Sequence, residues 1–176
     1  MDRLIANYKR LLRLTDTSFH RYMYDKVNWN GRLVGIVGAR GVGKTTMILQ
    51  YIKEQLDVDS TLYVNAEDFY FASHRLTELA DVFCKMGGKY LVVDEVHRYE
   101  GWSKELKLIY DYHPELHVVF SGSSVLDITR VYSPTCPAVQ WFIPSMACRS
   151  ENIWNSSRKS RPSPIRLTRW WRTRWK

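Results

Sequence analysis

The sequence is poor in cysteine and has no long apolar run. Cys84, Cys136 and Cys148 are its three cysteines, and this odd, widely spaced set forms neither a disulfide framework nor a paired metal-binding motif. No apolar run approaches the length that crosses a membrane, and the N-terminal stretch MDRLIANYKRLLRL is too charged for a signal peptide. These absences argue against the disulfide-rich secreted class and the membrane-spanning class. We therefore predict a protein of the reducing cytoplasm, with Cys84 as a free thiol.

Acidic residues are almost absent from the last quarter of the chain. Residues 131–176 contain nine lysines and arginines but a single acid, Glu151, together with five of the seven tryptophans. Residues 1–130 contain 17 basic and 17 acidic side chains, so the formal net charge of +8 belongs entirely to the C-terminal segment. The charge pattern therefore gives no reason to predict nucleic-acid binding by residues 1–130, and confines that function class to residues 131–176.

Short apolar runs alternate with amphipathic patterns over the first 130 residues. The runs are rich in β-branched residues and predict strands covered on both faces, as in a parallel sheet. Apolar positions three and four residues apart predict helices between them. The predicted strands cover 32–38, 61–65, 90–94 and 117–121, and the predicted helices cover 44–56, 75–86 and 103–110, with a further helix from Ser124. The alternation predicts an α/β domain over residues 1–130, with a helical lead-in at 1–30.

A glycine-rich stretch, GARGVGKT, joins the first predicted strand to the first predicted helix after it and has the pattern G-x-x-x-x-G-K-[ST]. Its glycines let the backbone curl so that N–H groups point at phosphate oxygens, and the dipole of the following helix favours the same anion. The lysine of this pattern meets the β- and γ-phosphates, and the hydroxyl after it binds Mg²⁺. We predict that Lys44 is also catalytic and that Thr45 is also a metal ligand. The predicted phosphate site consists of Gly38, Ala39, Arg40, Gly41, Val42, Gly43, Lys44, Thr45 and Thr46.

The second motif is KYLVVDEVHR, an apolar strand that ends in two acids. Asp94, at the carboxyl end of a neighbouring strand, is placed to hold Mg²⁺ and its water shell. Glu95 points differently and is the candidate base that orients and deprotonates an attacking water. His97 and Arg98 are expected to be surface residues.

A third motif, VVFSGSS, ends the fourth predicted strand in serines. Ser121 or Ser123 could place a hydroxyl near the γ-phosphate, and we prefer Ser121 as this catalytic sensor. The alternative is a serine-rich turn that caps the next helix. No N-K-x-D guanine-reading motif follows, so ATP is favoured over GTP as the nucleotide.

Together, the blocks GARGVGKTT, LVVDEVHR and FSGSS resemble those of prokaryotic P-loop ATPases of the AAA+ type, over about residues 5–130. The resemblance implies a parallel sheet with flanking helices and strand order 5-1-4-3-2, in which the serine strand separates the phosphate-loop strand from the acid strand. It implies ATP and Mg²⁺ as ligands and ATP hydrolysis as the activity. It also implies binding to a homo-oligomer or a partner protein through a C-terminal region that we expect to be missing here.

The family pattern continues beyond the serine strand with an arginine-containing segment, a fifth strand and a SFREYLEL-like block. The chain as written has none of these, so we expect the fifth strand to be missing, the domain to be truncated after Arg130, and hydrolysis to be slow or defective. No arginine is clearly placed as a trans-acting finger either.

A different segment results when the codons for residues 135–157 are read in a shifted frame. In that frame, the last base of each codon joins the first two bases of the next codon. In the shifted frame the genetic code fixes three residues, and degenerate codon positions permit the string LSRRAVVYTIHGMSFREYLELF. This string contains an arginine pair, a β-like run and the SFREYLEL-like block, in the order of the family pattern. We therefore predict that residues 131–176 are an out-of-frame, disordered tail.

Two alternatives to an active ATPase follow from the same residues. One is a nucleotide-binding module that switches shape or recruits a partner without turnover. The other is a nucleic-acid or anionic-surface binder that uses RKSRPSPIRLTRWWRTRWK, residues 158–176, with eight basic residues and three tryptophans. ATP consumption separates the first alternative from the enzyme, and salt-dependent DNA retention tests the second.

Overall fold

The computed structural model describes residues 1–123 and the short strand at 139–142. All of these residues belong to the compact unit Met1–Met146. The helix predicted from Ser124 and the basic segment at 158–176 lie outside the described residues, and the out-of-frame origin of the tail stays a prediction. Among the residues described, no helix has the length and apolar character needed to cross a membrane.

Strand and helix alternate as the sequence predicts. Apolar runs uninterrupted by proline or glycine pairs form the strands, and segments with apolar residues at helical spacing form the helices between them. The helices are α1 (Asp2–Leu14), α2 (Lys44–Gln55), α3 (Leu76–Lys85) and α4 (Trp102–Tyr112). The strands are β1 (Leu33–Val37), β2 (Thr61–Asn65), β3 (Tyr90–Asp94), β4 (His117–Gly122) and β5 (Val139–Phe142).

The strands form one parallel sheet in the order β2-β3-β4-β1-β5. This is the order implied by the family resemblance, and β4 does lie between the phosphate-loop strand β1 and the acid strand β3. Because all strands are parallel, the carboxyl ends of β1, β3 and β4 meet at one edge of the sheet, where α/β folds of this kind bind ligands.

The prediction that the fifth strand is missing is wrong. Residues Val139–Phe142 pair in parallel with β1, in a register that places Val139 beside Leu33 and Phe142 beside Ile36. Pairing of this kind uses backbone groups, so it does not require the particular apolar run that the family pattern leads one to expect. Pro137 and Pro144 both fall outside the four paired residues and remove no ladder donor from them. The outer edge of β1 is therefore paired from Leu33 to Ile36.

Helices pack on the sheet through their apolar stripes. Leu4, Tyr8 and Leu12 are the buried residues of α1, which packs against α2 and β2, while α3 packs against α4. β1 is buried along its whole length. Continuous burial of the central strands holds the edge of the sheet in a fixed position under the loops that follow β1, β3 and β4.

The lead-in predicted to be helical over residues 1–30 is helical only in α1 and in a short 3₁₀ turn at Tyr24–Lys26. The helix ends where Asp16 accepts hydrogen bonds from the amide of Ser18 at 2.9 Å and from its hydroxyl at 2.7 Å. Short polar side chains of this type compete with helical backbone bonds.

Residues 15–24, which we call the strap, run along α2. Gln50 is 3% exposed, and its Nε2 donates to the carbonyl oxygens of Asp16 and Phe19, both at 2.8 Å. The Glu54 carboxylate lies 2.9 Å from His20 Nε2 and accepts a hydrogen bond from the Tyr24 hydroxyl at 2.9 Å. Side chains of α2 therefore fix the path of the strap.

Replacing the buried amide tests this arrangement. Gln50→Leu keeps a side chain of similar size but removes both hydrogen bonds to the strap, so we expect the free energy of unfolding to fall by about 1–3 kcal/mol. Urea denaturation measures the change. Gln55→Leu is the control, because the Gln55 side chain is exposed at the end of the same helix and forms no hydrogen bond within the described residues. Equal midpoints for Gln50→Leu and the parent would show that the two bonds do not hold the strap.

Candidate nucleotide-binding site

The glycine-rich loop between β1 and α2 has the curled backbone that its sequence predicts. Gly41 and Gly43 have φ angles of 81° and 84°, a left-handed conformation that side-chain-bearing residues avoid. The amide of Gly38 donates to the carbonyl oxygen of Gly122 at 3.2 Å, which ties the start of the loop to the end of β4. Helix α2 begins at Lys44 with neither a side-chain cap nor an acid in its first turn. Its first N–H groups are thus left for an anion.

Lys44 is buried in the loop, with 5% of its surface exposed. Its Nζ donates to the carbonyl oxygen of Gly38 at 2.8 Å and to that of Ala39 at 3.2 Å. An ammonium group has three N–H donors, so one remains for a phosphate oxygen. Among the other predicted loop residues with polar side chains, Arg40 and Thr46 are exposed and Thr45 is partly buried.

Asp94 is the centre of a hydrogen-bond network that joins three strands to the loop. It is 1% exposed, and its Oδ2 accepts from the hydroxyls of Thr45 at 2.6 Å and Tyr63 at 2.7 Å. Its Oδ1 accepts from the Ser121 hydroxyl and, at 3.1 Å, from the amide of Glu95. The structure thus brings together four residues that the sequence analysis singled out, and adds Tyr63.

Tyr63 was missed by the sequence analysis. It lies in β2, and burial, followed by the negative charge of Asp94, raises the pKa of its hydroxyl far above the usual range. The hydroxyl therefore stays protonated and donates to the carboxylate. A tyrosine between Leu62 and Val64 in a strand predicted to be buried was the available signal, since a buried tyrosine hydroxyl requires a partner.

The backbone of Glu95 is strained. Its φ of 55° makes it the one non-glycine residue with positive φ within the described part of the chain. Its amide donates both to Asp94 Oδ1 and to the hydroxyl of Ser121 at 3.2 Å, and these bonds hold the conformation in place. Strain of this kind costs roughly 1–3 kcal/mol and concentrates at functional sites. It turns the side chain of Glu95 away from that of Asp94, as the sequence analysis expected.

One oxygen of the Glu95 carboxylate is engaged and the other is not. Oε2 accepts a hydrogen bond from the Ser123 hydroxyl at 3.2 Å and lies 3.4 Å from His97 Nδ1. His97 Nε2 lies 3.0 Å from the same hydroxyl. Within the described residues Oε1 has no hydrogen-bond partner.

The expectation that His97 is a surface residue is wrong. Its side chain is 11% exposed, because the turn after Glu95 folds it back against Ser123. Arg98 is 52% exposed and pairs with Glu67 at 3.1 Å, so for this residue the expectation is confirmed. Two adjacent residues thus differ in burial because the 3₁₀ turn at Val96–Arg98 sends their side chains in different directions.

The donor set at Asp94 and Thr45 fits Mg²⁺. One carboxylate and one hydroxyl lie together, and no group of three or more acids, histidines or cysteines gathers elsewhere in the described residues. Mg²⁺ prefers oxygen ligands, keeps several waters, and uses one or two carboxylates together with substrate phosphates. Such a set does not suit zinc, which takes nitrogen and sulfur ligands in closed sites.

A comparison with protein families agrees with this geometry. A family model described as "AAA domain" matches residues 30–137. The chain belongs to the AAA-domain family. At the level of the family, this AAA domain is therefore one of the nucleotide-binding P-loop ATPases. No curated protein matches the chain.

Solved structures similar to this AAA domain share little sequence with it. PCH-2 of C. elegans is 14% identical, with a TM-score of 0.47, over 82% of this chain and 42% of that chain. The Drosophila ORC bound to DNA is 11% identical, with a TM-score of 0.49, over 81% of this chain and 91% of that chain. The chain thus spans less than half the length of the PCH-2 chain that it matches.

Proposed function

We propose that this AAA domain binds ATP with Mg²⁺ and hydrolyses it. The observation that carries the proposal is the 2.6 Å hydrogen bond from Thr45 to Asp94, which joins the start of the phosphate-loop helix to the end of the acid strand. It joins the two parts of the proposed nucleotide site, the anion-binding loop and the carboxylate, by a direct contact.

Each residue has a separate role in this proposal. The loop amides and the free N–H of Lys44 bind the phosphates. Thr45 and Asp94 hold Mg²⁺, which when bound draws negative charge from the phosphate oxygens. Glu95, fixed through Oε2, takes the proton of the attacking water on Oε1. Ser121 acts as a positioning residue, since its hydroxyl contacts both Asp94 and the amide of Glu95.

Calorimetric titration with Mg·ATP tests the binding half of the proposal. Lys44→Ala is expected to weaken ATP binding roughly 10- to 150-fold, the equivalent of one hydrogen bond to a charged group. Lys107→Ala is the control, because Lys107 is exposed on α4. Equal affinities in Lys44→Ala and the parent would overturn the assignment of the site.

A further inference from the structure

A second cation lies against the phosphate loop. A Cβ placed on Gly43 would lie 2.5 Å from Arg21 Nε, 2.9 Å from Cζ and 3.0 Å from Nη2. These distances are shorter than van der Waals contact, so the guanidinium lies directly over the backbone of the residue that precedes Lys44. Two features thus favour glycine at position 43. One is its positive φ angle, and the other is the close approach of Arg21.

Helix α2, which follows the phosphate loop, fixes the position of the segment that contains Arg21. Arg21 belongs to the strap, and α2 holds the strap on both sides of it. Before Arg21, Gln50 donates to the Phe19 carbonyl oxygen at 2.8 Å, and after it Glu54 accepts from Tyr24 at 2.9 Å. The chain is thus tied to α2 on both sides of Arg21, through the backbone of Phe19 and the side chain of Tyr24, and the first residue of α2 is Lys44. The placement of the guanidinium over the loop follows from the fold.

Arg21 has no counter-charge of its own. Across residues 1–123, the contiguous part of the chain that the structure describes, its side chain forms no ion pair and no hydrogen bond, although the side chains of other arginines do so. Arg3 pairs with Asp68 at 3.0 Å and Arg98 with Glu67 at 3.1 Å. A guanidinium presents several N–H donors in a planar fork, which matches phosphate oxygens in a bidentate manner.

We propose that Arg21 binds the phosphate chain of the nucleotide, as a second cation beside Lys44. This inference rests on the proposed function, because it names a further ligand-binding residue of the same site. It also assigns the strap a function, since the side chains of α2 that hold it bring a positive charge to the loop from outside the glycine-rich motif.

The test is calorimetric titration of Arg21→Ala with Mg·ATP and with adenosine. We expect ATP affinity to fall roughly tenfold, near the lower end for a hydrogen bond to a charged group because Arg21 is exposed. Adenosine affinity should not change, since adenosine carries no phosphate. Arg21→Lys should lie between the parent and Arg21→Ala, because it keeps the charge but loses the fork.

Matched variants separate the possible outcomes. Arg10→Ala removes an exposed arginine of α1 and should bind ATP as the parent does. ATP affinity that is unchanged or higher in Arg21→Ala would overturn the proposal, and a higher value would mean that Arg21 occludes the loop. An Arg21→Ala defect in adenosine binding of equal size would also overturn it. If Lys44→Ala loses ATP while Arg21→Ala does not, only this inference fails. If the parent binds no ATP, the proposed function fails with it.

Discussion

Glu95→Gln is expected to lower the rate of ATP hydrolysis by about 10²- to 10⁴-fold while ATP affinity stays unchanged. The amide keeps the size of the carboxylate but cannot take the proton of the attacking water. Glu95 is suited to this role because Ser123 holds Oε2 at 3.2 Å while Oε1 stays without a hydrogen-bond partner in the described residues. Phosphate release under saturating Mg·ATP measures the rate, and calorimetry measures the affinity.

Glu100→Gln is the matched control for this experiment. Glu100 is an exposed acid five positions further along the chain, so its substitution should leave the rate as it is in the parent. Hydrolysis that is undiminished in Glu95→Gln would exclude Glu95 as the base. No hydrolysis in the parent, together with intact ATP binding, would instead favour the nucleotide-binding module without turnover.

Asp94→Ala is expected to have the largest effect on stability. Four groups donate hydrogen bonds to this buried carboxylate, and two of them, the hydroxyls of Tyr63 and Ser121, lie in the interior with it. Buried donors that lose their acceptor cost about 1–3 kcal/mol each, so with two such donors we expect the free energy of unfolding to fall by about 2–6 kcal/mol. Chemical denaturation measures this loss, and the same variant should also lose Mg²⁺-dependent hydrolysis.

Two further variants distinguish the stability effect from the metal effect. Asp94→Asn keeps one acceptor oxygen, so it should lose less stability than Asp94→Ala but equally lose Mg²⁺-dependent hydrolysis. Asp111→Ala, at an exposed position of α4, should leave both properties unchanged. A stability for Asp94→Ala equal to that of the parent would show that water replaces the carboxylate in the network, contrary to its burial.

Local patterns were sufficient to predict most of the fold. The four strands from β1 to β4 and helices α2 to α4 occur within one or two residues of their predicted limits, because continuous apolar runs and helical spacing of apolar residues constrain their own backbone directly. The strand order rested on resemblance, and the sheet confirms it. The fifth strand was predicted wrongly, since pairing with the edge of β1 depends on backbone groups that no side-chain pattern specifies.

The residue pattern alone was sufficient to predict the phosphate loop and its proximity to Asp94, because glycines, a lysine and a strand-end acid at this spacing are typical of phosphate-binding loops. Only the tertiary structure revealed Tyr63 beside Asp94, His97 against Ser123, and Arg21 over Gly43. Each of these contacts joins residues at least 20 positions apart in the chain. Such contacts follow from how strands and loops pack against one another, so the residue types alone do not specify which residues meet.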